Sequence, residues 1–233
     1  MNLHDIRDQL RTTGNPIVTG TQLAMVAGVE LRTAHVYLQR MVGRGMVHHV
    51  ERGKFALCED VFPVATGVSF PSYISFTTAL QLHHRVEQVI GRVFVATSVR
   101  RRDLTYLGNP IHFVTLHPDH IFGYRKVRQG GFDVFLADVE KAILDLLAFP
   151  RYGRIANVPE ILRKAVDRDL LLQYADRQPR EAVRRRLGYL LERAGMAADL
   201  HPRSRTPYLL NPSLPGRGRF DAKWRLYINE VIA

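Results

Sequence analysis

The spacing of hydrophobic residues between positions 19 and 57 predicts a helix, a tight turn, a second helix and a two-stranded hairpin. Thr19 and Gln22 have the capping-box spacing that is typical of a helix start. The apolar residues that follow fall on one helical face, at Leu23, Val26 and Ala27. Gly28 is suited to the tight turn that separates this helix from the next one.

The second predicted helix begins near Glu30 and is amphipathic, with Gly43 and Gly45 expected to end it. Its apolar stripe repeats at helical period and consists of Leu31, Ala34, Leu38, Met41 and Val42. Its other face carries guanidinium, hydroxyl, phenol and branched aliphatic groups, on Arg32, Thr33, Val36, Tyr37 and Arg40. A helix that contacts base edges in the major groove uses side chains of these types. The pattern therefore indicates a DNA-recognition helix.

Residues 47–57 form two short strands around Gly53, and the basic side chains of Arg52 and Lys54 lie at the tip of this hairpin. Together with an amphipathic helix at residues 3–12, the segment predicts a winged helix-turn-helix domain at residues 1–58. The residues predicted to contact DNA are Thr21, Arg32, Thr33, Val36, Tyr37, Arg40, Arg44, Arg52 and Lys54. A winged helix that makes only protein contacts is the alternative, because a fold does not define a function.

Residues 59–71 contain Pro63, Gly67 and Pro71 and carry no charge after Asp60, a composition that predicts a linker. Residues 72–233 then form a second domain. Its predicted elements are helices at 77–84 and 137–149 and strands at 91–97, 111–116, 122–127 and 132–136. The chain as a whole is predicted to be α+β, with an N-terminal winged helix-turn-helix and a mixed α/β domain whose C-terminal part is helical and basic.

The chain after Pro150 is the most basic part of the sequence. Residues 151–233 carry 17 Lys/Arg and 9 Asp/Glu, against 7 and 4 in residues 1–58 and 9 and 9 in residues 59–150, within a net charge of +11. Such a field attracts polyanions. The predicted helices are at 159–166, 169–176, 179–194 and around 224–232, with a surface loop at 201–220. Arg180 and Arg184 share one helix face and are candidates for additional DNA-backbone contacts, the alternative being a solvated basic surface.

Three segments together resemble a known family, namely GKFAL at 53–57, ISFTTALQLH at 74–83 and EKAILDLL at 140–147. Over residues 3–195 the chain is similar to the AbiEi-type antitoxins, which are transcriptional regulators of viral defence systems. The resemblance implies a protein that represses its own operon and counteracts a nucleotidyltransferase-like toxin encoded beside it, directly or functionally. It also implies that the second domain is needed for antitoxicity. Phe76 stands where the family often has histidine, so we predict no site at that position.

Residues suited to metal or phosphoryl-transfer chemistry do not form a recognisable motif. The pairs His83-His84 and His117/His120 could ligate zinc only with further ligands, and the single cysteine lies far away in sequence. The cluster 138–141 has Val139 where a restriction-type nuclease needs an acid. There is no phosphate-binding glycine-rich loop of the P-loop type. We therefore expect no catalytic residues, no metal and no cofactor, and keep a defence-associated nuclease or a protein-interaction adaptor as the alternatives.

The remaining expectations concern partners and compartment. The single cysteine excludes an intrachain disulfide, and no apolar run approaches the roughly 20 residues that span a bilayer. The start of the chain lacks the pattern of a secretory signal, so we expect a cytoplasmic protein with no membrane partner. The expected partners are double-stranded operator DNA with repeated or inverted half-sites and the cognate toxin, with a homodimer on DNA as a further expectation.

Overall fold

A computed structural model describes residues 2–87, 91–164, 166–198 and 200–232. The chain divides into two compact units, each built from three separate stretches. The first unit contains Met1–Ile74, Gly91–Leu116 and Arg125–Leu136, and the second contains Ser75–Ile90, His117–Tyr124 and Ala137–Ala233. The boundaries of these units differ from those of the predicted domains, since residues 1–58 share a unit with strands that the prediction assigns to the second domain. The predicted domain boundaries stay a prediction.

The N-terminal part of the first unit has three helices and a small sheet with strand order β1-β3-β2. Its elements are α1 (Leu3–Thr12), β1 (Ile17–Val18), α2 (Gly20–Ala27), α3 (Leu31–Gly43), β2 (His48–Glu51) and β3 (Lys54–Ala56). The predicted capping box is confirmed, because Thr19 accepts a hydrogen bond from the Gln22 N–H and the Gln22 side chain accepts one from the Thr19 N–H. Gly28 ends α2 with φ +63°, the left-handed conformation that glycine adopts without strain.

A hydrophobic cluster joins the three helices to their sheet. Its buried residues include Ile6, Leu10, Leu23, Ala34, Leu38, Met41, Phe55 and Leu57. Phe132 belongs to the same cluster although it lies far along the chain, and it is 1% exposed. The Arg11 guanidinium lies 5.0 Å from the centroid of the Phe132 ring, and the Asp133 N–H donates to the Gly14 carbonyl at 2.9 Å. Phe132, far along the sequence, therefore completes the hydrophobic core of the N-terminal helices.

The larger sheet lies mostly in the first unit and has the strand order β6-β7-β5-β4-β9-β8. Its strands are β4 (Ser72–Ile74), β5 (Val93–Thr97), β6 (Leu104–Tyr106), β7 (Asn109–Thr115), β8 (Tyr124–Gln129) and β9 (Phe132–Ala137). β5 pairs in parallel with β7, and β4 pairs in parallel with β9 through Ile74 and Leu136. The predicted linker contains a helix, α4 (Val61–Gly67), whose first turn is capped by the Asp60 carboxylate.

The second unit is built around α6, a helix that is buried along almost its whole length. Its helices are α5 (Phe76–Leu82), α6 (Val139–Ala148), α7 (Val158–Arg163), α8 (Arg168–Arg177) and α9 (Glu181–Arg193). α6 packs against α5, α8 and α9. A small sheet follows with the order β10-β12-β11, formed by β10 (Tyr208–Leu209), β11 (Arg219–Asp221) and β12 (Leu226–Ile228).

The α+β class is confirmed, and the helix predicted around residues 224–232 is wrong. Residues 226–228 form β12 instead, because Leu226, Tyr227 and Ile228 are the aromatic and branched types that favour strands. Arg225 has φ +52°, which is incompatible with a helix passing through it. The loop predicted at 201–220 is largely irregular but includes β10 and the start of β11. No helix among the described residues combines the length and hydrophobicity that a membrane crossing requires.

Candidate nucleic-acid interface

The exposed face of α3 is the strongest candidate for a nucleic-acid interface. Arg32, Val36 and Arg40, all predicted contacts, are exposed on it, and Val36 is 45% exposed. Each residue of a helix advances about 100° around the axis, so this face also includes His35 and Gln39. Both are exposed and both were missed by sequence reasoning. The spacing of Gln39, seven residues after Arg32, was the pattern that could have identified it.

Two predicted contacts of α3 lie at the edge of this face. Thr33 and Tyr37 are half-buried, and Tyr37 packs against the hydrophobic cluster of the first unit. The apolar stripe also differs from its prediction at the start of the helix, because Leu31 is 48% exposed while Leu38 and Met41 are buried. The exposed face is therefore centred closer to Arg32 and Gln39 than to Tyr37.

The basic side chains around α3 and the hairpin tip are not neutralised by the protein itself. Among the residues that the structure describes, no carboxylate, carbonyl or aromatic ring contacts the guanidinium groups of Arg32, Arg40, Arg44 and Arg52. All four of these residues are exposed. α3 also has no acidic residue in its first turn, and its N-cap residue, Glu30, makes no capping hydrogen bond with its side chain. An anion approaching this surface meets several free cations.

α2 and α3 pack closely against each other at Gly20. A Cβ atom on Gly20 would lie 2.5 Å from Nε2 of His35 and 3.2 Å from Cδ1 of Leu31. Glycine at this position therefore lets the start of α2 approach α3 and holds the His35 ring against it. Thr21, the predicted contact on α2, is exposed beside this junction.

The two basic residues of the hairpin formed by β2 and β3 differ in their contacts with the rest of the chain. Arg52 is exposed in the turn before Gly53, whose φ is +77°. The Lys54 ammonium instead donates to the Val68 carbonyl at 2.7 Å and pairs with the Glu51 carboxylate at 3.0 Å. Lys54 remains a predicted contact, but its charge is already engaged within the first unit.

Glu51 connects the hairpin to the rest of the first unit. Its carboxylate pairs with Arg101 at 2.7 Å, and the Arg101 guanidinium also donates to the Val68 carbonyl at 3.1 Å. Burial opposes ionisation of Glu51, but the hydrogen bond from Lys54 and the charge of Arg101 outweigh it and lower the pKa of the carboxyl group. The residue pair next to the turn, Glu51 and Lys54, is thus fixed by ion pairs, while the Arg52 side chain within the turn stays exposed.

The arginines of the second unit serve mostly internal contacts. Arg184 pairs with Asp176 at 2.6 Å and donates to the His201 carbonyl, and the Arg180 guanidinium lies 4.5 Å from the centroid of the Phe149 ring. Arg185 and Arg186 are buried rather than solvated. Arg186 donates to the Leu147 and Leu209 carbonyls, and burial lowers its pKa to about 10. The predicted backbone contacts Arg180 and Arg184 are therefore the weakest members of the set.

The cluster considered for nuclease chemistry is also occupied by internal contacts. Lys141 and Asp145 form an ion pair at 2.5 Å and are 0% and 1% exposed at their side chains, and Ser75 donates to Asp145 at 2.7 Å. Asp138 accepts from the Tyr174 hydroxyl at 3.1 Å. Glu140, likewise buried, accepts from a backbone N–H of the α8 cap. In the described part of the chain, no group of three or more His, Cys, Asp or Glu side chains is placed to hold a metal ion.

A comparison with models of known protein families and with curated proteins finds no match to this chain. The assignment of a function therefore rests on the residues and geometry described above.

Proposed function

We propose that the N-terminal part of the first unit is a winged helix-turn-helix that binds double-stranded DNA. The order α1-β1-α2-α3-β2-β3, with the hairpin β2–β3 extending a sheet that β1 completes, supports this assignment. In the proposed complex α3 enters the major groove and the hairpin tip meets the adjacent backbone. Arg52 makes the tip contact, since Lys54 is held by Glu51 and Val68.

The single observation that carries the proposal is the row of free cations on and beside α3. Four exposed arginines have no partner among the described residues, so their charges are available to the phosphates of a DNA backbone. Gln39 adds a side chain that can pair with adenine, and the arginines can pair with guanine. Val36 is placed to contact a thymine methyl group. Charge explains affinity for the backbone, while these side chains explain a preference for sequence.

We further propose that the protein acts as a transcriptional repressor and antitoxin in the cytoplasm. This role comes from the resemblance of residues 53–57, 74–83 and 140–147 to the AbiEi-type family. It includes repression of the protein's own operon through repeated or inverted half-sites, with a homodimer on DNA, and neutralisation of a nucleotidyltransferase-like toxin. The test of this second part is growth rescue when the chain is expressed together with the product of the neighbouring gene.

Fluorescence anisotropy with a duplex from upstream of the gene tests the DNA-binding proposal. Arg32→Ala and Gln39→Ala should each weaken binding by about 1–3 kcal/mol, because each removes contacts to base edges. Arg154→Ala is the matched control, since Arg154 is exposed in the second unit. Binding that is equal for the wild type, Arg32→Ala and Gln39→Ala would refute the assignment of α3.

A further inference from the structure

The small sheet of the second unit has two chemically different faces. β11 and β12 are antiparallel with Phe220 opposite Tyr227, and β10 places Leu209 opposite Tyr227. Directly paired residues point to the same side of a sheet, so these three side chains share one face. Leu226 is paired with Asp221 and with Tyr208 on the other face.

The face that carries Leu226 is turned inward, and the face that carries the aromatic residues is turned outward. Leu226 is fully buried, and the Trp224 ring beside it packs against Gly188 of α9. Phe220, in contrast, is 43% exposed. Its ring centroid lies 5.1 Å from that of Tyr227, and the Arg217 guanidinium lies 5.6 Å from the centroid of the Tyr227 ring. We name Phe220, Tyr227 and Arg217 the aromatic platform.

The chain around the aromatic platform is strongly basic. Residues 201–225 contain six Lys/Arg and one Asp. The single carboxylate, that of Asp221, lies on the face opposite Phe220 and accepts the Trp224 N–H at 2.9 Å. It therefore does not neutralise the platform.

Some of these cations have carboxylate partners and others do not. Lys223 pairs with Glu192, and Arg203 lies 3.5 Å from the Asp176 carboxylate. Arg205, Arg217 and Arg219 have no carboxylate partner among the described residues, and all three are exposed. Arg217 thus lies beside an aromatic pair in which Phe220 is exposed and Tyr227 is half-buried, while the exposed Arg205 and Arg219 add positive charge to the same segment of the chain.

We propose that the aromatic platform binds single-stranded nucleic acid. The exposed Phe220 ring, supported by Tyr227, offers a surface on which an unpaired base stacks, and the Arg217 guanidinium beside it offers a partner for a phosphate. A duplex keeps its bases stacked on one another and would use only the arginines. An acidic peptide would likewise leave the rings of Phe220 and Tyr227 without a partner. Only a single-stranded nucleic acid, whose bases are unstacked, uses both the aromatic ring and the guanidinium group.

This inference does not depend on the proposed operator binding. The platform lies in the second unit, and none of its residues belongs to α3 or to the β2–β3 hairpin. It also differs in ligand, since operator recognition needs a duplex. A variant that loses one activity should therefore retain the other.

Anisotropy titrations of the full chain with labelled oligo(dT), oligo(U) and a hairpin duplex of equal length provide the test. Phe220→Ala should weaken binding of the single strands by about fivefold or more, because one stacking surface is lost. Phe220→Tyr keeps the ring and should bind like the wild type. Arg217→Ala should reduce the slope of log affinity against log salt by about 0.7. Phe70→Ala is the matched control, since Phe70 is an exposed aromatic residue of the first unit, 72% exposed.

The outcomes are distinct. Tighter binding of oligo(U) than of oligo(dT) would support the proposal and indicate contacts to the ribose hydroxyl, while equal binding would support recognition of bases alone. Failure of the wild type to bind either strand would overturn the proposal. Equal binding by Phe220→Ala, with circular dichroism unchanged, or equal competition by polyglutamate would also overturn it. Arg32→Ala should leave single-strand binding unaltered, which separates this result from a failure of operator binding.

Discussion

Substitution of Gly188 by alanine should destabilise the second unit, although alanine is normally the better helix residue. Gly188 lies within α9, and a Cβ atom at this position would overlap the ring of Trp224. Three ring atoms would lie too close to it, and the farthest of these, Cε3, would be 2.7 Å away. Carbon atoms in good contact lie about 3.5–4.0 Å apart. Trp224 is 1% exposed and its indole N–H donates to Glu192 at 2.8 Å, so the ring cannot shift without breaking a hydrogen bond.

The opposing contributions to Gly188→Ala can be compared. The gain in helix propensity is about 1 kcal/mol. Overpacking costs about 1–3 kcal/mol, and loss of the indole hydrogen bond costs about 1–3 kcal/mol more. The net effect is a loss of about 1–5 kcal/mol in the free energy of unfolding. Gly43→Ala, in the last turn of α3, is the matched control, because no atom lies within 4 Å of the added Cβ.

Trp224 also provides the measurement, since it is the only tryptophan in the 233 residues. Urea unfolding followed by tryptophan emission should show a lower midpoint and a red-shifted native spectrum for Gly188→Ala, with no loss of stability for Gly43→Ala. Adding Trp224→Leu to Gly188→Ala should recover part of the lost packing energy, measured by urea unfolding followed by circular dichroism because this variant has no tryptophan. A Gly188→Ala variant with wild-type stability and wild-type emission would refute the assigned contact between α9 and the indole ring.

Three further predictions concern the first unit. Arg52→Ala should weaken every duplex equally and lower the salt slope of binding by about 0.9, whereas Lys54→Ala should leave that slope unchanged because its ammonium is engaged internally; equal slopes for both variants would contradict this. Glu51 has a lowered pKa in the folded chain, so its stabilisation is present above the ordinary pKa of a glutamate and is lost as the pH falls through the folded pKa. Glu51→Gln should therefore cost about 0.5–1 kcal/mol in chemical unfolding at pH 7 and progressively less in acid, and a cost that does not change with pH would exclude the ion pairs. Phe132→Ala should cost about 3–5 kcal/mol in the same assay, unlike Phe70→Ala, whose ring is 72% exposed.

The elements that could be predicted from sequence are those with local signatures. α2 was located by its capping box at Thr19 and by Gly28, and both features involve residues within one or two turns of each other. α6 was located by an apolar stripe and a following proline, and the structure places it at Val139–Ala148. In both cases hydrogen bonds within the element, or burial of one regular face, determine the conformation. No distant residue is needed to recognise them.

The features that escaped prediction depend on distant parts of the chain. Arg185 is buried because Glu181, Ser204 and Thr206 supply acceptors from α9 and from a loop about twenty residues later. The strands β10 to β12 are two or three residues long, too short for an alternating pattern to appear. The internal hydrogen bond of the Lys54 ammonium also requires the carbonyl of Val68, fourteen residues on. The candidate site was thus predicted in outline, while its free and engaged cations could be separated only by tertiary structure.

The position of Phe132 has a consequence for how the protein is made. A ribosome delivers α1, α2 and α3 long before β9, so the nascent chain carries the proposed DNA-binding surface over a core that still lacks one aromatic side chain. The chain must also begin the second unit at residue 75 before it can return to finish the first. The first unit is complete only at Leu136, when the second unit has been started but its longest stretch, Ala137–Ala233, is still to be made. A product that stops before residue 132 would contain every DNA contact predicted within residues 1–58, yet lack the phenylalanine that completes their hydrophobic core.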